Sequence, residues 1–272
     1  DDDMRRFIAI FLILFSLKSF SEEIDRLPSG VPNLNGVWQV MNTANFNLEA
    51  HSSSAALQMV EGPVVPIPHP SVVALGAVGS IPGGLSVVEE GKIPYKKIAL
   101  TKRDNNKANW IDLDPEIKCY LPGVPRATYM PYPFQIFHSE EAIFFAYQYA
   151  GAVRNIYLED PGPAPVDSWM GQSWGYWEGD TFVVEASGFN DQTWFDRSGN
   201  FHSDKLKVTE RYTPINKHII EYEALIEDEE VFTKPWTIKM NLYRRTGQDA
   251  QIIQFKCVEF VEELMYGKYR AE

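Results

Sequence analysis

The sequence predicts an all-β fold: an antiparallel barrel or sandwich of about ten strands with a long irregular N-terminal excursion. Three observations carry this reading. Strand-like segments recur at hairpin spacing, with no helices alternating between them. Several segments alternate strictly, as where Ile220, Tyr222, Ala224 and Ile226 share one face while Glu221, Glu223 and Glu227 share the other. Tight turn residues separate the segments, as in Glu178-Gly179-Asp180.

The chain of 272 residues is 44% hydrophobic and 13% aromatic, enough for one sizeable core rather than a disordered chain. A single β domain is expected over 22–272. Ahead of it, Arg5 and Arg6 precede an apolar run over 7–17, and Ser19 and Ser21 stand where a signal peptidase wants small residues. Residues 1–21 are therefore expected to be a signal peptide with leading extra residues, and the protein to be periplasmic or secreted. The apolar run is too short to cross a bilayer, so no membrane insertion is expected after cleavage. The net charge of −12 argues against nucleic acid and against anionic lipid as partners.

The elements follow in order. Residues 34–40 read as a first strand entered through a turn holding Pro28, Gly30 and Pro32. Residues 42–110 are rich in Gly, Pro and Ser, and their prolines forbid a helix through most of the segment. That excursion is read as a wrap over one side of the core or a lid. Strands are expected over 134–137, 142–149 and 152–158 as an antiparallel meander, then over 173–177 and 181–186 around Gly179. A polar, aromatic loop spans 188–203. Hairpins are expected from 206–213 with 218–226 and from 237–243 with 251–258, the last turning around Gly247, and a short helix over 261–269. Cys119 and Cys257 are the two cysteines; in an oxidising compartment they form a disulfide or remain two buried thiols.

Two resemblances add to this. Gly36-Val37-Trp38 at the first strand resembles the lipocalin signature, in which the Trp plugs the closed end of the barrel, and so implies a lipocalin-like barrel. Asn35-Gly36, Cys119-Tyr120-Leu121-Pro122-Gly123-Val124-Pro125-Arg126, Trp177-Glu178-Gly179-Asp180-Thr181, His202-Ser203-Asp204, Thr209-Glu210-Arg211-Tyr212 and Thr233-Lys234-Pro235-Trp236 together resemble an uncharacterised family of secreted bacterial β-proteins. That family, common in Proteobacteria and Acidobacteria, implies a bacterial, exported, single-domain protein and supplies no mechanism.

Two places can carry chemistry. Glu210 breaks the apolar face formed by Leu206, Val208 and Tyr212, and a carboxylate there needs a partner or must stay protonated. It is either a salt bridge to a core Arg, for which Arg154 is the candidate, or a polar group lining a ligand cavity. The loop over 193–204 gathers His202, Asp196 and Asp204, raw material for acid–base work, beside Trp194, Phe195 and Phe201. Alternatively its carboxylates organise the loop and His202 bonds to backbone. Tyr147 and Trp177 complete the expected ligand wall. The chain lacks His-Glu-x-x-His, Cys-x-x-Cys, Gly-x-Ser-x-Gly and phosphate-loop motifs, so no metal and no cofactor is expected.

The expected function is binding of a small apolar or aromatic molecule in a barrel cavity. An enzyme of the same fold using His202 with Asp196 or Asp204 (a lyase, isomerase or hydrolase) is the second reading. An envelope structural or interaction protein is the third. The oligomeric state stays open, a homo-oligomer included.

Overall fold

A computed structural model describes residues 23–55, 62–63, 68–69, 80–255 and 257. The expected signal peptide and the helix over 261–269 lie outside these residues. Among the described residues, nine strands close into a barrel. They are β1 (Gly36–Val40), β2 (Phe134–His138), β3 (Ile143–Tyr147), β4 (Val153–Tyr157), β5 (Gln172–Glu178), β6 (Thr181–Ser187), β7 (Lys207–Asn216), β8 (Ile219–Glu227) and β9 (Trp236–Arg244). Successive strands β2 to β9 are neighbours, and β1 closes the ring between β9 and β2.

A ring with an odd number of strands cannot alternate direction all the way round, so at least one pair must run parallel. That pair is β4–β5, joined only through Ile156 with Ser173 and Tyr157 with Trp174. The meander β2–β3–β4 is antiparallel as the sequence predicts, whereas the barrel as a whole is mixed where the sequence predicts it antiparallel. The C-terminal hairpin also differs from the expectation. Residues 251–255 form no strand, and the edge of β9 expected to receive them is taken by β1, with Val40 opposite Leu242 and Trp38 opposite Arg244.

Alternation fills the barrel with side chains. Trp38, Phe134, Phe145, Phe182, Tyr212 and Tyr222 are completely or almost completely buried. Gly175 of β5 makes room among them, because a Cβ there would lie 2.7 Å from the Phe182 ring. One end is closed by Trp38, whose indole Nε1 donates to the Leu34 carbonyl at 2.9 Å and whose ring lies 4.4 Å from the Arg244 guanidinium. The flat Arg group over the ring combines cation–π attraction with exclusion of water.

The other end is covered by a short helix α3 (Arg126–Tyr129), all of it buried, and by the loop over 189–206. The excursion is ordered structure where it is described. Residues 87–89 run along the top of β9, with Glu89 N–H donating to Thr237 O and Lys239 N–H to Val87 O. They complete the wall where β1 is too short to reach. The excursion also holds helix α1 (Lys97–Ala108), followed by α2 (Trp110–Leu113). The prolines that exclude a helix end at Pro94, which leaves α1 a proline-free stretch up to Pro115.

Candidate functional site

The register of β7 decides the central feature. Glu210 lies opposite Val184 on one side and Ala224 on the other, in mid-strand, and is completely buried. A lone carboxylate at such a depth is strongly destabilising. Here Oε1 is hydrogen-bonded, while Oε2 is held by an ion pair that lacks hydrogen-bond geometry. Oε1 accepts from the Tyr212 hydroxyl at 2.9 Å and the Tyr222 hydroxyl at 2.7 Å. Oε2 meets Nη2 of Arg154 at 2.5 Å. Arg154 projects inward from β4 and is 3% exposed, and its Nε donates to Ser173 Oγ at 2.8 Å. Burial alone pushes the Arg154 guanidinium down, but the adjacent Glu210 carboxylate more than offsets this and holds it above its ordinary value. Burial, reinforced by Glu210, keeps the Tyr212 and Tyr222 hydroxyls well above theirs, so both remain donors.

The cluster is not saturated. Arg154 Nη1, the Tyr147 hydroxyl and Thr128 Oγ1 are buried and have no hydrogen-bond partner. Thr128 and Arg154 are close enough to influence Tyr147 electrostatically and by polar contact, yet stop short of a well-formed hydrogen bond. Each such group costs roughly 1–3 kcal/mol if nothing completes it.

A cavity of about 280 Å³ adjoins this cluster, with Arg154 and Ser173 in its lining beside Val153, Tyr157, Val166 and Met170. It lies at the β4–β5 seam. Only the last two residues of β4 pair with β5, so Val153, Arg154 and Asn155 have no strand partner on that edge. The chain leading into β5 turns away to pair with the segment after β6: Ser168 N–H donates to Gly188 O and Asn190 N–H to Ser168 O. Gly171 allows that turn, with φ of +66° and the Phe189 ring 2.6 Å from where a Cβ would sit.

The loop over 193–204 is built differently from the acid–base site that its composition suggests. His202 is 1% exposed; its Nδ1 faces the Ser203 carbonyl at 2.8 Å and its Nε2 the Thr193 hydroxyl at 2.6 Å. A carbonyl only accepts, so Nδ1 carries the proton and Nε2 accepts from Thr193. Burial lowers the His202 pKa, which keeps the ring neutral. It hydrogen-bonds neither Asp196 nor Asp204. Asp196 is buried and accepts from Leu48 N–H, Ser198 N–H and Asn200, so it fastens the loop to the excursion. Burial raises its pKa to about 6. Asp204 is at the surface, paired with Lys205 at 3.0 Å.

The aromatics of that loop pack against protein. Phe195 contacts His202, Phe232 and Trp236, and Phe201 stacks on Tyr95. Trp194 is bridged to Phe201 across the loop and is 7% exposed. Glu210 and the loop therefore do not face a common hollow: one sits within the barrel and the other covers its end. Trp177 lies apart from both, stacked on His138 and tilted against Phe182. Of the expected wall, Glu210, Arg154 and Tyr147 come together.

A further buried cluster escaped the sequence reading. Glu116 accepts from Arg126 Nη2 at 2.6 Å and from Arg197 Nε and Nη2, both at 2.8 Å. Asp114, completely buried, lies 3.6 Å from Arg126. Burial raises the Asp114 pKa to about 6 despite Arg126, whereas the two arginines outweigh burial at Glu116 and hold it at about 2. Its members come from three separated segments, and no local pattern links them. Close by, Cys119 and Cys257 are joined in a disulfide with their Cα atoms 5.8 Å apart. Among the described residues, no group of three or more His, Cys, Asp or Glu is arranged to hold a metal ion. Comparison with protein-family models, with curated proteins and with solved structures finds no match.

Proposed function

We propose that the protein is an exported binding protein that takes a small molecule with an apolar or aromatic body against the Arg154–Glu210 pair. The observation that carries this reading is the incomplete hydrogen bonding of Arg154 Nη1 in a residue that also borders a cavity. The apolar lining from Val153, Met170 and Tyr157 suits the body of such a ligand, and the guanidinium fixes one polar atom. A catalytic reading through His202 has less support, since both ring nitrogens are already engaged by the loop itself.

A thermal-shift screen with small apolar and aromatic compounds tests the proposal. A ligand present at one hundred times its Kd adds about 2.7 kcal/mol, a shift of several degrees. Failure of every compound class to stabilise the protein would contradict it.

A further inference from the structure

We infer that this site selects an uncharged molecule bearing a hydrogen-bond acceptor oxygen, such as a small aryl amide or ketone, and admits it sideways through the β4–β5 seam. The inference rests on the binding reading above and specifies its ligand and its route.

Charge comes first. Arg154 is the obvious attraction for a carboxylate, but its charge is already matched by Glu210 at 2.5 Å. Adding an anion would leave a net negative charge beside a fully buried carboxylate, where the low dielectric strengthens repulsion. The lining residues Val153, Asn155, Ser168, Gln172 and Ser173 bring no second cation. The protein as a whole is strongly acidic, with a net charge of −12. An ammonium compound fares no better, because it has only donors to offer and Arg154 Nη1 is itself a donor. A neutral carbonyl oxygen completes Nη1 without adding charge.

Route comes second. Both ends of the barrel are closed by protein, one by Trp38 and Arg244 and the other by α3 and the loop over 189–206. The side wall is interrupted where β4 lacks a strand partner, and the cavity lies at that interruption. Val153 and Val166, 55% and 68% exposed, mark its outer rim. Its volume of about 280 Å³ is just below the roughly 300–1,000 Å³ usual for ligand pockets. That size suits one ring with a short polar substituent.

The test titrates the full protein with benzamide, benzoate and benzylammonium, which share a ring and differ in charge, and follows backbone amide shifts by NMR. Benzamide is expected to bind at least about tenfold more tightly than either charged probe. A Val166→Trp variant, altered at the exposed rim, is expected to keep its melting temperature and lose at least about tenfold in benzamide affinity. Benzoate binding more tightly than benzamide overturns the charge argument, and unchanged binding by Val166→Trp overturns the route; the binding reading survives either result. If none of the three probes binds, the inference falls, and the binding reading falls with it only if the wider panel also fails.

Discussion

Arg154 and Glu210 meet at 2.5 Å inside the barrel although their strands, β4 and β7, are separated by two others. The pair therefore ties opposite arcs of the wall together through the core. Around it, two tyrosine hydroxyls complete the carboxylate and one serine the guanidinium, while Arg154 Nη1 remains open.

Breaking that pair from one side leaves a buried charge without its counterpart. Arg154→Met and Glu210→Leu are each expected to cost about 3–5 kcal/mol in urea unfolding. The double variant is expected to cost clearly less than the sum, because it removes both charges together. Additive losses would mean that the two residues act independently.

The disulfide joins residues 138 positions apart and closes the segment after β9 against the one before α3. Constraint of the unfolded chain over that separation corresponds to about 5 kcal/mol. Cys119→Ser/Cys257→Ser is expected to melt well below the parent, with an unchanged barrel by circular dichroism because neither cysteine lies in a strand. Equal melting temperatures would contradict this.

The pH profile separates opposing groups. Asp114, raised by burial to about 6, binds its proton more readily in the folded state than unfolded, so its contribution to stability is lost as pH rises through 6. Asp196 acts in the same direction. His138, lowered to about 4 by burial, acts oppositely: its contribution is lost as pH falls from the ordinary His value through 4. His202 also resists protonation when folded. The wild-type profile is thus a partial cancellation. Asp114→Asn removes one side of it, so the melting-temperature difference between wild type and variant is expected to grow in favour of the wild type as pH is lowered from 7 to about 4.5. A constant difference would refute the assignment.

His202 is held as a loop fastener by Thr193 and Ser203. His202→Ala is expected to lower stability by about 2 kcal/mol, from lost hydrogen bonds and a small void. Benzamide affinity is expected to stay within about twofold. Loss of binding at unchanged stability would restore the loop as the functional site.

Much of the barrel was legible because alternation is a local property. Ile220, Tyr222, Ala224 and Ile226 face inward as their pattern predicts. Glu210 stood out as the one inward position of its strand that the pattern could not accommodate, and Arg154 was within reach as a charged residue in another strand. The cap loop misled because composition brings His202, Asp196 and Asp204 together while the backbone directs each elsewhere. Helix α1 carried little signal, since only Ala99 and Asn106 of its residues are buried and no apolar stripe forms. The seam was invisible for another reason: it follows from the parity of the strand count, which the strand expected over 251–258 obscured, and the described residues 251–255 form none.

The most direct measurement is a crystal structure of the protein with 4-bromobenzamide, in which the bromine is located by its anomalous signal. A bromine peak is expected at the β4–β5 seam, with the amide oxygen within hydrogen-bond distance of Arg154 Nη1. A peak confined to any other surface, with Arg154 untouched by the compound, would contradict it.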